Sequence, residues 1–292
     1  QRPEPRRRPQ AHPPVKQQAL YETLWQAGQG REEDIVLRCG DKSLSYGALF
    51  QGILQAEAGL RALGVGPGEL VTLFSLNTPE AVMAFYAIDR IGAVANWVDM
   101  KVSPAEVEEY LTQAGSRVAL VLEVAFSKVY HHRGTAPTQH FVVLPLAPYV
   151  APELEGKLHL NTWQQGAGPD CLSWADFLRP PAQVPPEADR WEEPVAITYT
   201  GGTTGPAKGV VLSRRSFAWA LEYYTRAETE YGRGGFALVL LPLFAVFGLS
   251  QCLHTPLSLG MGVILCPMFR PHDLGDMLRR YRPEQVCGTT AY

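Results

Sequence analysis

The chain has 292 residues, of which 46% are hydrophobic and 19% charged, and its formal net charge is −3. This composition is typical of a globular protein and excludes a collagen-like or wholly disordered chain. The lack of a basic excess argues against nucleic-acid binding, because such domains usually concentrate lysine and arginine on one face. The length allows one large domain or two ordinary ones.

The N-terminal segment, residues 1–16, contains four arginines and five prolines. Such a segment buries too little apolar surface to fold by itself, so we predict a disordered tail. A basic arm for RNA or acidic lipid is the alternative, but four arginines are few beside the nearly neutral remainder of the chain.

From residue 19 to residue 144, predicted strands alternate with predicted helices. Apolar runs and turn signals predict strands over residues 33–38, 42–46, 70–76, 93–98, 117–122 and 141–144. Helices are predicted over residues 46–63, after the cap Thr78-Pro79, and after the capping box formed by Ser103 and Glu106. This alternation predicts an α/β fold with a three-layer αβα arrangement and mainly parallel sheets.

The second half of the chain begins with a different composition. Residues 145–193 hold eight prolines, and only residues 173–178 suggest a helix, so we predict a connector there. The predicted organisation is therefore the tail followed by one domain over residues 17–292. That domain divides into a first α/β part (17–144), the connector (145–193) and a second part (194–292).

The cysteines indicate the redox setting of the protein. The five cysteines are odd in number and have no metal-ligand spacing, which predicts free thiols in a reducing, cytoplasmic setting and no metal site in this chain.

Residues 234–269 contain no charged side chain. Prolines and glycines interrupt this stretch, so we predict a buried strand, helix and strand rather than the roughly 20 apolar residues of a transmembrane helix.

A loop rich in glycine and threonine lies between two apolar strands in residues 194–213. Glycines let backbone N–H groups converge on an anion, hydroxyls add neutral donors, and one ammonium supplies positive charge. The spacing differs from a Walker A loop and from G-x-G-x-x-G; a plain glycine turn is the alternative. The residues that predict phosphate binding are Thr200, Gly201, Gly202, Thr203, Thr204, Gly205 and Lys208.

The run from Tyr199 to Val210 resembles the phosphate-binding loop of the adenylate-forming superfamily, which includes acyl-CoA synthetases, peptide-synthetase adenylation domains and luciferases. Within this run, the pairs Gly201-Gly202 and Ala207-Lys208 are similar to the long-chain fatty-acid CoA ligase branch. Residues 241–248 (Leu-Pro-Leu-Phe-Ala-Val-Phe-Gly) resemble the acyl-pocket motif of the same superfamily. Weaker similarity extends from about residue 19 to the end of the chain.

This resemblance implies the N-terminal part of an acyl-CoA synthetase-like enzyme that uses ATP, Mg²⁺ and CoA. A carboxylic acid, most simply a fatty acid, forms an acyl-AMP and is then transferred to CoA or to a carrier-protein thiol. The resemblance implies catalytic roles for Lys208 and Thr204. It also implies an acyl pocket lined by Phe244, Ala245, Val246 and Phe247, for which core packing is the alternative.

Two departures from the superfamily pattern qualify the implied activity. Ala245 stands where the superfamily usually has histidine, and His254, nine residues on, is interpreted as a satisfied core or helix-end histidine. The segments that bind adenine, ribose and Mg²⁺ and the late lysine are expected beyond Tyr292. We therefore expect a truncated AMP-binding domain, incomplete at its C-terminal edge and inactive alone. A non-catalytic acyl- or nucleotide-binding relic of the same fold is the alternative.

Overall fold

The computed structural model of the protein describes residues 17–182, 184–185, 190–200, 208–226 and 234–288. The predicted tail at residues 1–16 lies outside these ranges. The strands in them are β1 (Ile35–Cys39), β2 (Lys42–Ser45), β3 (Leu70–Phe74), β4 (Val94–Trp97), β5 (Val118–Leu122), β6 (His140–Leu144), β7 (Cys171–Ser173), β8 (Pro194–Thr200), β9 (Lys208–Ser213), β10 (Phe236–Val239), β11 (Gly262–Leu265) and β12 (Gln285–Cys287).

The helices begin and end close to their predicted positions in the first half of the chain. In the described ranges they are α1 (Leu20–Gly28), α2 (Tyr46–Ala62), α3 (Pro79–Ile91), α4 (Pro104–Ala114), α5 (Phe126–Tyr130), α6 (Pro152–Lys157), α7 (Trp174–Phe177), α8 (Arg214–Arg226), α9 (Thr255–Ser258) and α10 (Leu274–Tyr281). A π-helical segment, Gly248–His254, leads directly into α9.

Local capping explains these helix ends. The Thr78 hydroxyl accepts the Ala81 N–H at the start of α3, and Ser103 and Glu106 form the predicted capping box of α4. At its other end α4 stops at Gly115, whose φ of 60° lies in the left-handed region that favours glycine. The cap predictions are therefore confirmed.

The strands form two sheets. Within the described residues, the larger sheet has the order β7-β6-β5-β3-β4-β8-β9 and the smaller has the order β12-β10-β11-β1-β2. Neighbours are parallel except for β8–β9 and β1–β2, which are antiparallel. The sheets are thus mainly parallel, as predicted. The early hairpin β1–β2 belongs to the smaller sheet, where β1 pairs with β11.

Helices cover both faces of each sheet. The main core lies between the sheets and contains α3, whose residues are all buried. A second core packs α4 and α5 against the far face of the larger sheet, and a third packs α10 against the far face of the smaller sheet. The αβα arrangement expected from the sequence is therefore confirmed, because apolar strands of parallel sheets require cover on both faces.

The stretch that was predicted as a connector holds more structure than the sequence indicated. It contains α6 and β7 in addition to the short helix near residues 173–178, and β7 pairs with β6 at the edge of the larger sheet. The prediction missed α6, although Pro152 occupies its first turn, where proline is tolerated.

No helix in the described ranges combines the length and apolar character needed to cross a bilayer. The uncharged stretch at residues 234–269 instead forms β10, the π-helical segment, α9 and β11. The buried strand–helix–strand prediction is confirmed, with one difference. The helix begins as a π-helix, a form with i→i+5 bonds that residue spacing does not predict.

Candidate functional site

An antiparallel strand pair brings together the two ends of the predicted phosphate-binding loop. Thr200 at the end of β8 and Lys208 at the start of β9 are register partners. The Thr200 hydroxyl donates to the Lys208 carbonyl oxygen at 3.4 Å. Both residues are exposed, so the hydroxyl and the ammonium can reach a ligand. The remaining predicted loop residues lie outside the described ranges: Gly201, Gly202, Thr203, Thr204 and Gly205.

This strand pair ends at the carboxyl edge of the larger sheet. β8 runs parallel to β4, and β4 runs parallel to β3, so Thr200 lies at the same edge as the residues that follow those two strands. In parallel α/β sheets, ligands bind in the crevice outside the carboxyl ends of the strands. The position of Thr200 and Lys208 therefore fits a ligand site.

A cleft of about 210 Å³ opens beside this edge and is bounded by both sheets. Its polar wall is formed by Asn77, Asp99 and Lys101, which lie in the segments that follow β3 and β4. Phe244 and Phe269 contribute an apolar wall from the smaller sheet. The cleft thus combines one charged side with one aromatic side, an arrangement suited to a ligand with a polar end and an apolar body.

A half-buried lysine holds the loop after β4 in place. The Lys128 ammonium donates to the carbonyl oxygens of Met100 and Val102 at 2.5 and 3.0 Å. Burial lowers the pKa of Lys128, while the carboxylates of Asp99 and Glu106 raise it. Because its donors serve the backbone, Lys128 supports the cleft wall and does not enter the cleft.

Asn77 joins the two sheets at the floor of the cleft. Its amide nitrogen donates to the carbonyl oxygens of Leu241 and Val239 at 2.9 and 3.4 Å. Its amide oxygen accepts the Leu243 N–H at 3.0 Å. Asn77 is buried, so these bonds are shielded from water. They fix the segment after β10, which carries Phe244.

The structure separates the four residues that were predicted to line an acyl pocket. Phe244 lies on the cleft wall and packs against the main core, and Ala245 is half-buried beside it. Val246 and Phe247 are 38% and 50% exposed and do not line this cleft. Phe244 is therefore the member of the set that the described structure places beside Asn77 and Lys101.

A second cleft of about 260 Å³ adjoins the first. The two clefts share Cys266, Pro267 and Phe269, and the second is bordered by Met277 and Tyr281 of α10. Burial raises the pKa of Cys266 to about 12, so this thiol stays protonated near neutral pH and is a poor nucleophile. The second cleft thus extends the apolar side of the first.

His254 is a satisfied core histidine, as the sequence analysis predicted. It is 1% exposed, and its Nδ1 lies 3.0 Å from the Tyr86 hydroxyl while its Nε2 lies 3.3 Å from the Ser258 hydroxyl. Burial lowers its pKa to about 3. It stands outside the cleft and cannot replace a histidine at position 245.

The sequence analysis did not select Asn77, Asp99 or Lys101 as site residues. A signal for them was present, because each follows an apolar strand of a predicted parallel sheet, and the carboxyl edge of such a sheet is the expected ligand side. No group of three or more His, Cys, Asp or Glu side chains in the described ranges could hold a metal ion.

The comparisons with known proteins agree on one family. The model of the family "AMP-binding enzyme" matches residues 24–292. The chain is 30% identical to 4-coumarate–CoA ligase 2 of Oryza sativa subsp. japonica over 235 residues, which is 78% of this chain and 40% of that protein. It is 23% identical to the long-chain-fatty-acid–CoA ligase of Bacillus subtilis (strain 168), over 85% of this chain and 46% of that protein.

A solved structure shares the fold. The crystal structure of the anthranilate CoA ligase AuaEII in complex with anthranoyl-AMP matches with a TM-score of 0.81 and 22% identity, over 94% of this chain and 50% of that chain. At this identity the match shows likeness of fold alone. The chain thus spans half or less of the length of these three proteins.

Proposed function

Because the chain belongs to the family of AMP-binding enzymes, we propose that it forms part of an AMP-forming acid–thiol ligase. One observation carries this proposal. The strand pair that presents Thr200 and Lys208 ends at the carboxyl edge of a parallel sheet, beside a cleft with a charged wall and an aromatic wall. A nucleotide and an apolar acid could therefore occupy neighbouring positions.

The proposed reaction has two steps. A carboxylate oxygen attacks the α-phosphorus of ATP, the bond to the β-phosphate oxygen breaks, and acyl-AMP and pyrophosphate form. The sulfur of CoA then attacks the acyl carbon and loses its proton, and AMP leaves. Binding both reactants in line and stabilising the charge on phosphate are the main contributions that a protein makes to such a step.

The residues of this chain contribute charge and neutral donors to the first step. The Lys208 ammonium neutralises phosphate charge, and the Thr200 hydroxyl exchanges its 3.4 Å bond to the Lys208 carbonyl oxygen for one to a phosphate oxygen. We extend this role by sequence to Gly201, Gly202, Thr203, Thr204 and Gly205, which lie outside the described residues. We assign no Mg²⁺ ligand among the described residues, because they form no acidic cluster that fits the ion.

The acid substrate has an apolar body, either an alkyl chain or an aromatic ring. The aromatic wall formed by Phe244 and Phe269 supports both, and the adjoining apolar cleft supports a longer chain. The relatives named above are a ligase of a long-chain fatty acid and ligases named for 4-coumarate and anthranilate. A fatty acid remains our first candidate, with CoA as the acceptor.

The cysteines support a reducing, cytoplasmic setting for this reaction. All five are described and form no disulfide bond, and those at positions 39, 252, 266 and 287 are buried. Buried thiols of this kind act as small apolar side chains.

ATP–pyrophosphate exchange tests the proposal directly. The assay is run on the longest reading frame that contains this sequence and, in parallel, on residues 1–292, with a fatty-acid series and an aromatic-acid series. We expect acid-dependent exchange from the longer protein and essentially none from residues 1–292. Exchange with one series only identifies the substrate class.

Two variants provide the controls. Lys208→Ala combined with Thr204→Ala is expected to lower exchange by about 100-fold, the scale of losing an electrostatic stabiliser. Lys157→Ala removes another exposed lysine, one that belongs to α6 and not to the loop, and is expected to leave exchange unchanged. Full exchange in the double variant would refute the loop assignment. Absence of exchange with every acid offered, despite ATP binding, would favour the non-catalytic relic.

A further inference from the structure

A chain of four hydrogen bonds crosses the larger sheet beneath the proposed nucleotide site. The Tyr199 hydroxyl donates to the amide oxygen of Asn96 at 2.8 Å, and the Asn96 amide nitrogen donates to the Thr72 hydroxyl at 3.0 Å. The Thr72 hydroxyl donates to the Ser116 hydroxyl at 2.7 Å. The Ser116 hydroxyl donates to the Leu70 carbonyl oxygen at 2.9 Å. We call these five residues the polar relay.

The relay lies in an apolar environment. Thr72 and Asn96 are register partners on β3 and β4, and both are fully buried. Phe74, Val121 and Tyr110 belong to the core cluster on the same side of the sheet. Buried polar groups without partners destabilise a protein. Each polar side-chain atom of the relay has a hydrogen-bond partner within it, which offsets the cost of its burial.

One carbonyl group sets the direction of every bond in the relay. The Leu70 carbonyl oxygen can only accept, so Ser116 must donate to it and must accept from Thr72. Thr72 therefore accepts from Asn96, whose amide nitrogen has to face Thr72 and whose amide oxygen has to face Tyr199. Tyr199 is consequently the donor to Asn96. Burial raises the pKa of Tyr199, so its hydroxyl keeps this proton near neutral pH.

The relay secures a strand end that the sheet itself leaves unpaired on one side. β8 pairs with β4 through Ala196 and Ile197, and its last three residues extend past these pairs. On that side Tyr199 is held by its bond to Asn96 and by edge-on contact with Tyr110, with ring centroids 4.5 Å apart. The next residue, Thr200, begins the proposed phosphate-binding loop.

We propose that Asn96 is a positioning residue that, through Tyr199, holds Thr200 and its partner Lys208 where they bind the phosphates of ATP. This inference rests on the proposed function. Asn96 touches no substrate and acts through the strand end alone. A merely structural pair at these positions could be replaced by apolar side chains of similar shape at little cost, whereas a positioning pair cannot.

Tyr199→Phe is the first test, because it removes the hydroxyl and keeps the ring on Tyr110. Its matched control is Thr138→Val, which removes a buried hydroxyl at the amino edge of the same sheet. That hydroxyl donates to the backbone carbonyl oxygen of Ser116 at 2.9 Å, so the Ser116 hydroxyl keeps its relay bonds in this variant. We expect similar falls in the urea midpoint for both variants. We expect the Kd for ATP to rise about tenfold in Tyr199→Phe and to stay within about twofold in Thr138→Val.

A double variant separates positioning from stability. Asn96→Leu combined with Tyr199→Phe replaces the bond by apolar contact, and we expect the urea midpoint to recover while ATP binding stays weak. Recovery of both would show a structural role only and would overturn the proposal. The proposal would also be overturned if the Kd for ATP rose in proportion to the fall in urea midpoint across all three variants.

Amide hydrogen exchange distinguishes failure of this inference from failure of the proposed function. We expect the amides of Thr200 and Lys208 to exchange faster in Tyr199→Phe than in Thr138→Val at equal stability. If the wild-type protein binds no ATP, the proposed function fails, and the exchange rates alone then decide whether Asn96 holds the strand end. Equal exchange rates in both variants would refute that anchoring.

Discussion

Replacing Arg214 by methionine tests a buried ion pair that joins α8 to α3. Arg214 follows β9 directly, and its Nε donates to Asp89 Oδ1 at 2.9 Å while a terminal nitrogen donates to the Asp89 carbonyl oxygen at 2.7 Å. The two side chains are 1% and 0% exposed. The other carboxylate oxygen of Asp89 accepts the Tyr21 N–H at 3.0 Å. In Arg214→Met the Asp89 carboxylate therefore stays buried without its cation.

The burial of both charges sets the expected magnitude. Removing one partner of a buried pair costs about 3–5 kcal/mol, since the remaining charge is uncompensated. This is a large fraction of the roughly 5–15 kcal/mol that stabilises an ordinary domain. Adding Asp89→Asn removes the orphaned charge and keeps an oxygen for the Tyr21 N–H, so the double variant is expected to regain a large part of the loss.

Urea unfolding, followed by circular dichroism, measures these differences. The neighbouring Arg215 supplies a matched control, because it pairs with Glu192 at 2.8 Å on the surface, with both side chains more than half exposed. Arg215→Met is expected to cost less than about 1 kcal/mol. A double variant that is no more stable than Arg214→Met would refute the reasoning that the buried charge, rather than lost packing, causes the loss.

Two further predictions concern His254 and Gly248. The pKa of His254 in the folded protein is about 3, below its ordinary value of 6.5. Between pH 6.5 and pH 3 the unfolded chain therefore binds this proton and the folded chain does not. The free energy of unfolding falls as the pH is lowered through this range, by at most about 1.4 kcal/mol per pH unit. His254→Gln should flatten this part of the slope of urea midpoint against pH; an unchanged slope would contradict it. A Cβ at Gly248 would stand 2.1 Å from the Pro242 carbonyl oxygen, whereas one at Gly156 meets nothing within 4 Å. Gly248→Ala should therefore lower the Tm and cost about 1–3 kcal/mol, while Gly156→Ala should leave the Tm nearly unchanged; equal Tm values would refute the overpacking argument.

Helix ends were predictable from sequence because their determinants are local. Thr78, Ser103 and Gly115 act within one turn of the helix that they limit, and the structure has each where the sequence predicted it. The pairing of β1 with β11 was not predictable in this way. Strands of a parallel sheet are similar apolar runs, so the sequence pattern does not show which strand lies beside which.

The candidate site likewise has one part that could be predicted from local sequence and one that could not. The run containing Thr200 and Lys208 was recognisable because its residue types are contiguous. The cleft wall is not contiguous, since Asn77 and Asp99 come from the ends of different strands, and Phe244 joins them from the second sheet. Only the strand order shows that they meet.

The two buried asparagines indicate how the fold holds its ligand side. Asn77 ties the end of β10 to β3, and Asn96 ties the end of β8 to β4, so each amide acts where a strand runs past its ladder partners. Burying an amide is costly unless it finds hydrogen-bond partners. Asn77 donates two bonds and accepts one, and Asn96 donates one and accepts one. Apolar packing can hold the centres of these sheets, but it is non-directional and does not fix the position of a strand end. The carboxyl edge, where the phosphate and acid sites are proposed, is therefore where directional polar contacts have the most to contribute.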